Sequence, residues 1–105
     1  MTRFKELDPI LHSQLRLAIV SLLISTEAAE FTYIREQTGA TAGNLSIQIT
    51  KLKEAGYIKV TKKFRENYPQ TLCRITPLGQ KMFTEYVKDL NDYLNPESPD
   101  EKGNS

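Results

Sequence analysis

The 105-residue chain holds a single cysteine and a single histidine. One cysteine excludes an internal disulfide framework, and one cysteine with one histidine cannot furnish a metal cluster, so no metal and no cofactor is expected. A Ser/His/Asp or Cys/His constellation is missing. So are a phosphate-cradling glycine loop and paired carboxylates in a plausible pocket, and the chain reads as a non-enzyme. Long apolar runs are missing too. The most apolar segment, residues 15–24, contains Arg16 and Ser21 and follows His12, so no membrane span is expected. The opening MTRFKELDP lacks the apolar core of a signal peptide. These absences leave one ordinary domain with a single modest core, expected in the cytoplasm of a prokaryote.

Net charge is only +1, but it is unevenly distributed. Between residues 51 and 81 stand Lys51, Lys53, Lys59, Lys62, Lys63, Arg65, Arg74 and Lys81, against only Glu54 and Glu66. From residue 82 onward the balance reverses, with Glu85, Asp89, Asp92, Glu97, Asp100 and Glu101 facing Lys88 and Lys102. One part of the molecule is thus suited to an anionic partner and the other is not.

The most informative stretch is residues 38–57, TGATAGNLSIQITKLKEAGY. Leu45, Ile49 and Leu52 recur at helical spacing and form one narrow apolar stripe. Thr41 occupies an N-cap position, and Gly56 the left-handed position that ends a helix. The side chains off the stripe include Asn44, Ser46, Ile47, Gln48, Thr50, Lys51 and Lys53, with no acid before Glu54. Amides and hydroxyls of this kind read base edges in a DNA major groove, lysines reach phosphates, and an aliphatic group touches a thymine methyl.

The remaining chain frames that helix. Asp8 and Pro9 read as N-cap and N1 of a first helix, with apolar positions from Ile10 to Leu23 and an end near Ser25. His12 and Arg16 lie off its main stripe and read as surface residues. Residues 26–30 read as a connector, and residues 31–37 as a short helix ended by Thr38 and Gly39. Two helices joined by a tight glycine turn make a helix-turn-helix. Past Gly56 the period changes from 3.6 to 2. YIKVTKKF and TLCRIT alternate as two strands of a hairpin, with RENYPQ as its turn and Lys62, Lys63 and Arg65 near its tip. Cys73 falls on the core face of the second strand and reads as a small hydrophobe rather than a redox sensor. Thr76 and Pro77 open a last helix, in which Phe83, Tyr86, Val87, Leu90, Tyr93 and Leu94 form a stripe. That stripe outlasts what a domain this small needs to cover itself. NPESPDEKGNS has no apolar side chain and reads as a disordered acidic tail. The fold class expected is mainly α with a small β-hairpin, in two segments: residues 7–94 as a domain and 95–105 as tail.

LDPILHSQLRLAIVSLL, TGATAGNLSIQITKLKEAGYI and QTLCRITPLGQKMF, in this order, resemble the small winged helix-turn-helix transcriptional regulators related to the MarR and ArsR families. The resemblance implies a homodimer on a pseudo-palindromic operator in double-stranded DNA. The expected action is repression by occluding polymerase, with activation left open, and the expected location is the cytoplasm, on the nucleoid when bound. The resemblance places Gly43, Asn44, Ser46, Ile47 and Gln48 at base edges, with Thr50 and Lys51 continuing that face. It makes Lys62, Lys63, Arg65 and Asn67 the wing contacts. The expected dimer interface is Leu11, Leu15, Phe83, Tyr86, Val87, Leu90, Tyr93 and Leu94. Metal-sensing relatives use Cys/His clusters that this chain lacks. Drug- and phenol-sensing relatives have longer terminal helices around a ligand pocket, so any small-molecule effector is left unidentified. The competing reading is a winged helix that binds protein and not DNA. Such a module would carry acids or large apolar groups where this helix carries amides, hydroxyls and lysines.

Overall fold

A computed structural model of the chain describes residues 4–96. Four helices and three strands follow one another as α1 (Gln14–Thr26), β1 (Ala28–Glu30), α2 (Phe31–Thr38), α3 (Ala42–Glu54), β2 (Ile58–Arg65), β3 (Tyr68–Ile75) and α4 (Pro77–Leu94). The strands form an antiparallel sheet in the order β1-β3-β2. The described residues therefore make a winged helix: a helical core carrying a hairpin wing.

Two expectations for residues 8–30 are corrected. The first helix does not begin at Pro9. Asp8 closes a single turn instead, its Oδ1 accepting from the Ile10 N–H (2.8 Å) and its carbonyl from the His12 N–H (2.8 Å). The chain then extends at Ser13 (φ −152°), whose hydroxyl faces the Arg16 N–H at the start of α1. The Asp-Pro signal is a genuine cap, but of a turn that folds Leu11 inward. The second correction lies in residues 26–30, read as a connector. Ala28, Ala29 and Glu30 pair with Arg74, Cys73 and Leu72 as a third strand. A segment so short shows no readable alternation.

The core runs through all elements. Leu45, Ile49 and Leu52 of α3 are buried beside Ile19, Val20 and Leu23 of α1 and Ile34 of α2. At the end of α3 the Gly56 N–H donates to the Lys53 carbonyl (3.0 Å) and the Tyr57 N–H to the Leu52 carbonyl (3.0 Å). This double closure requires the left-handed φ of +84° that Gly56 adopts. It directs Tyr57 and Ile58 back into the core and fixes where the wing begins.

Thr76 couples the start of α4 to that corner. Its Oγ1 accepts from the Gly79 N–H (3.0 Å), while its O–H is directed at the Gly56 carbonyl (2.7 Å) and the Tyr57 carbonyl (3.0 Å). Gly79 is required by contact. A Cβ there would overlap the Tyr57 carbonyl oxygen and come within 2.8 Å of Ile75 Cδ1.

The wing turns on Glu66 and Asn67, both left-handed at φ 52° and 68°, so that Arg65 faces Tyr68. Two left-handed central residues give the primed turn whose twist matches a hairpin. The turn is shorter than the expected RENYPQ loop, because Tyr68, Pro69 and Gln70 already belong to β3. Pro69 is tolerated there. It pairs with Phe64 beyond the reach of β1, so its missing N–H faces no third strand.

Candidate nucleic-acid interface

The face of α3 opposite its buried stripe is open. Thr41 Oγ1 accepts from the Asn44 N–H (3.1 Å), capping the helix at the end where its exposed polar residues begin. Gly43, Asn44, Ser46, Thr50 and Lys51 are exposed, and Ile47 is 54% exposed despite its aliphatic side chain. Gln48 is half-buried. No acid precedes Glu54, so the outward potential of the helix is set by Lys51 and Lys53.

The wing base adjoins this helix. Ser46, Thr50 and Lys53 of α3 line one open groove with Val60 and Lys62 of β2 and Thr71 of β3. Lys62 is thus brought beside the hydroxyls of α3. Strand alternation sends Lys63 and Arg65 to the other face of the hairpin, with Lys59 and Thr61. Both remain exposed, as does Asn67 at the tip. Phe64 (77% exposed) and Tyr68 (73%) stand free near the tip and do not pin the hairpin from within.

Arg16, read from the sequence as a surface residue, is part of this site. Its Nη1 donates to Gln48 Oε1 (2.5 Å), and Gln48 Nε2 donates to Asn44 Oδ1 (3.0 Å). The rest of the guanidinium is held by the turn before α1, through Nε to the Ile10 carbonyl (2.7 Å) and Nη2 to the Pro9 carbonyl (3.3 Å). Arg16 and Gln48 are 32 residues apart, so no local pattern announces the contact. The available signal is that Arg16 is the single charged residue of α1, a helix otherwise apolar or uncharged.

Of the residues expected at a subunit interface, Leu11 and Tyr86 are corrected. Leu11 is fully buried and Tyr86 is 4% exposed, both within the core of one protomer. The turn at Asp8 packs Leu11 inward, and the Tyr86 hydroxyl of α4 meets His12 Nδ1 of that turn at 3.0 Å. Leu15, Phe83 and Leu90 are half-buried against the same core. Val87 (48%), Tyr93 (40%) and Leu94 (69%) are exposed on the outside of α4. Tyr93 is anchored, its O–H donating to the Lys5 carbonyl (2.6 Å).

Two buried titratable groups lie away from the interface. Burial pushes the Cys73 thiol up to about 11. Burial, the hydrogen bond to Asp8 Oδ2 (2.6 Å) and the nearby carboxylate charge push the Tyr57 hydroxyl well above its ordinary range. Both stay neutral at physiological pH and act as packing and anchoring groups. Among the described residues no three His, Cys, Asp or Glu side chains are grouped to hold a metal ion. None of the described helices is long and apolar enough to cross a membrane.

Residues 15–94 match the family described as the winged helix DNA-binding domain. A curated relative, an uncharacterized protein of Methanocaldococcus jannaschii, is 32% identical over 81 residues, covering 77% of this chain and 88% of that protein. Among solved structures, the chain is similar to a transcriptional regulator homologue from Pyrococcus horikoshii OT3. The two share 27% identity and a TM-score of 0.79, over 86% of this chain and 89% of the other. The fold is shared with a MarR-family transcriptional regulator from Rhodococcus sp. RHA1. There the TM-score is 0.69 at 13% identity, over 85% of this chain and 62% of that longer one. The match over residues 15–94 runs from the second residue of α1 to the end of α4, and the chain belongs to the winged helix DNA-binding domain family.

Proposed function

We propose that the protein is a sequence-specific transcriptional regulator that binds double-stranded DNA as a homodimer and represses by occluding its operator. One observation carries this reading: the outer face of α3, which bears no acid before Glu54, and Lys62 of the wing border one groove, with Ser46, Thr50 and Lys53 beside them. Asn44, Ser46, Ile47, Gln48 and Thr50, following Gly43, then meet base edges. Lys51, Lys62, Lys63, Arg65 and Asn67 meet the sugar-phosphate backbone. The dimer contact assigned here is the outer stripe of α4, with Phe83, Val87, Leu90 and Leu94 at helical spacing. Tyr93 adjoins that stripe, whereas Leu15 of α1 is left out of it, since it lines a pocket with Thr38, Ala40, Asn44 and Gln48.

The test is footprinting on duplexes selected from a random pool, with the sedimentation mass measured alongside. The expected result is two dyad-related half-sites centred about 34 Å apart, one helical turn, and the mass of a dimer. A single unpaired half-site with a monomer mass would remove the homodimer from this account. Failure to select any duplex would remove DNA recognition itself.

A further inference from the structure

Arg16, Gln48 and Asn44 form a hydrogen-bonded chain whose polarity is dictated by chemistry. A guanidinium carries only N–H donors. The Gln48 atom facing Arg16 Nη1 must therefore be the carbonyl Oε1, which turns Nε2 to the other side. There Nε2 meets Asn44, and the atom it meets must be an acceptor, Oδ1. This leaves the Asn44 Nδ2 group directed away. Among the described residues nothing accepts from Asn44 Nδ2 or from the second N–H of Gln48. The two amides thus keep unpartnered donors, on an exposed Asn44 and a half-buried Gln48, while their oxygens are engaged along the chain.

We infer that Arg16 is a positioning residue that makes the Asn44–Gln48 pair a reader of acceptor edges, selecting guanine over adenine in the major groove. The inference rests on the DNA-binding reading above. Guanine presents two acceptors there, N7 and O6, whereas adenine pairs an acceptor with the N6 donor. An amide free to rotate forks onto adenine with its oxygen and nitrogen together. Arg16 removes that freedom by engaging Oε1, and its own anchoring to the Ile10 and Pro9 carbonyls keeps it in place.

The experiment compares base enrichment from a randomised duplex pool for the wild type, Arg16→Ala, Arg16→Lys, Gln48→Glu and Asn44→Ala. Asn44→Ala identifies the contacted base pair as the position whose preference collapses. At that position the wild type should enrich guanine over adenine by about tenfold. Arg16→Ala should erase most of that ratio, and Arg16→Lys, also a pure donor, should retain it. Gln48→Glu leaves an acceptor for Arg16 but offers Asn44 no donor. The Asn44 amide should then reverse, with its oxygen outward, and enrichment should move to the donor-bearing bases adenine and cytosine. Because Gln48→Glu keeps the Arg16 anchors, it separates amide orientation from any loss of fold in Arg16→Ala. A wild type that enriches adenine there would overturn the inference, as would a guanine preference unchanged in both Arg16→Ala and Gln48→Glu. A wild type that binds no duplex at low salt would overturn the DNA-binding reading beneath it.

Discussion

Gly79 shows how one residue holds two parts of the fold in contact. Its missing side chain lets the first turn of α4 rest on the Tyr57 carbonyl, at the corner where α3 ends and the wing begins. Gly79→Ala should lower stability by about 1–3 kcal/mol, the range for overpacking a close contact, read as a reduced urea midpoint at unchanged slope. Cys73 gives a prediction of opposite kind. With its pKa raised from 9.0 to about 11 by burial, the folded thiol holds its proton while the unfolded one ionises. Its contribution to stability is therefore intact below pH 9 and is lost as pH rises towards 11. Cys73→Ala should flatten the decline across that window, and the native thiol should resist thiol-reactive dyes at neutral pH. A dye reaction as fast as that of the unfolded chain would contradict the burial.

At the scale of elements, legibility followed the range of the interactions involved. Helix α3 could be read because its cap, its stripe and its closing glycine all lie within residues 38–57, and α4 because Thr76 and Pro77 are local signals. The wing could be read from its period of two, although its turn contracts to Glu66 and Asn67 once Tyr68 and Pro69 join β3. β1 was hidden because three residues owe their strand conformation to β3, more than forty positions away in the chain. The beginning of α1 was misplaced for a related reason. Asp8-Pro9 and Ser13 are both valid caps, and tertiary packing of Leu11 decides that only a turn separates them. In the candidate site the exposed polar residues of α3 were visible as residue types. The Arg16–Gln48 contact joins two elements and left no pattern in either. The primed turn yields its own test. Asn67→Gly relieves a positive φ of 68° and should stiffen the tip, gaining under about 1 kcal/mol, with slower amide exchange in the wing.

Across the whole molecule, the cationic block of residues 51–81 takes in the last turn of α3, the wing and Lys81 in the first turns of α4, while the acids Glu85, Asp89 and Asp92 lie further along α4. This division suits a molecule that presents one side to a polyanion and another to its own copy. Leu94 and Val87 are the large exposed apolar groups on the stripe assigned to that second contact. Val87→Glu with Leu94→Glu should halve the sedimentation mass, and with it weaken operator binding by more than tenfold through loss of the linked half-site. A double variant that remains dimeric would move the interface elsewhere.

The decisive measurement is fluorescence anisotropy of a labelled duplex titrated at two salt concentrations, with Lys62→Ala/Lys63→Ala beside the wild type. Wild-type binding should weaken steeply with salt. The double variant should bind every sequence less tightly, with a log–log salt slope shallower by about one per lysine removed. Salt-insensitive binding, or a double variant with the wild-type slope, would contradict a wing that neutralises phosphates and the DNA-reading face built beside it.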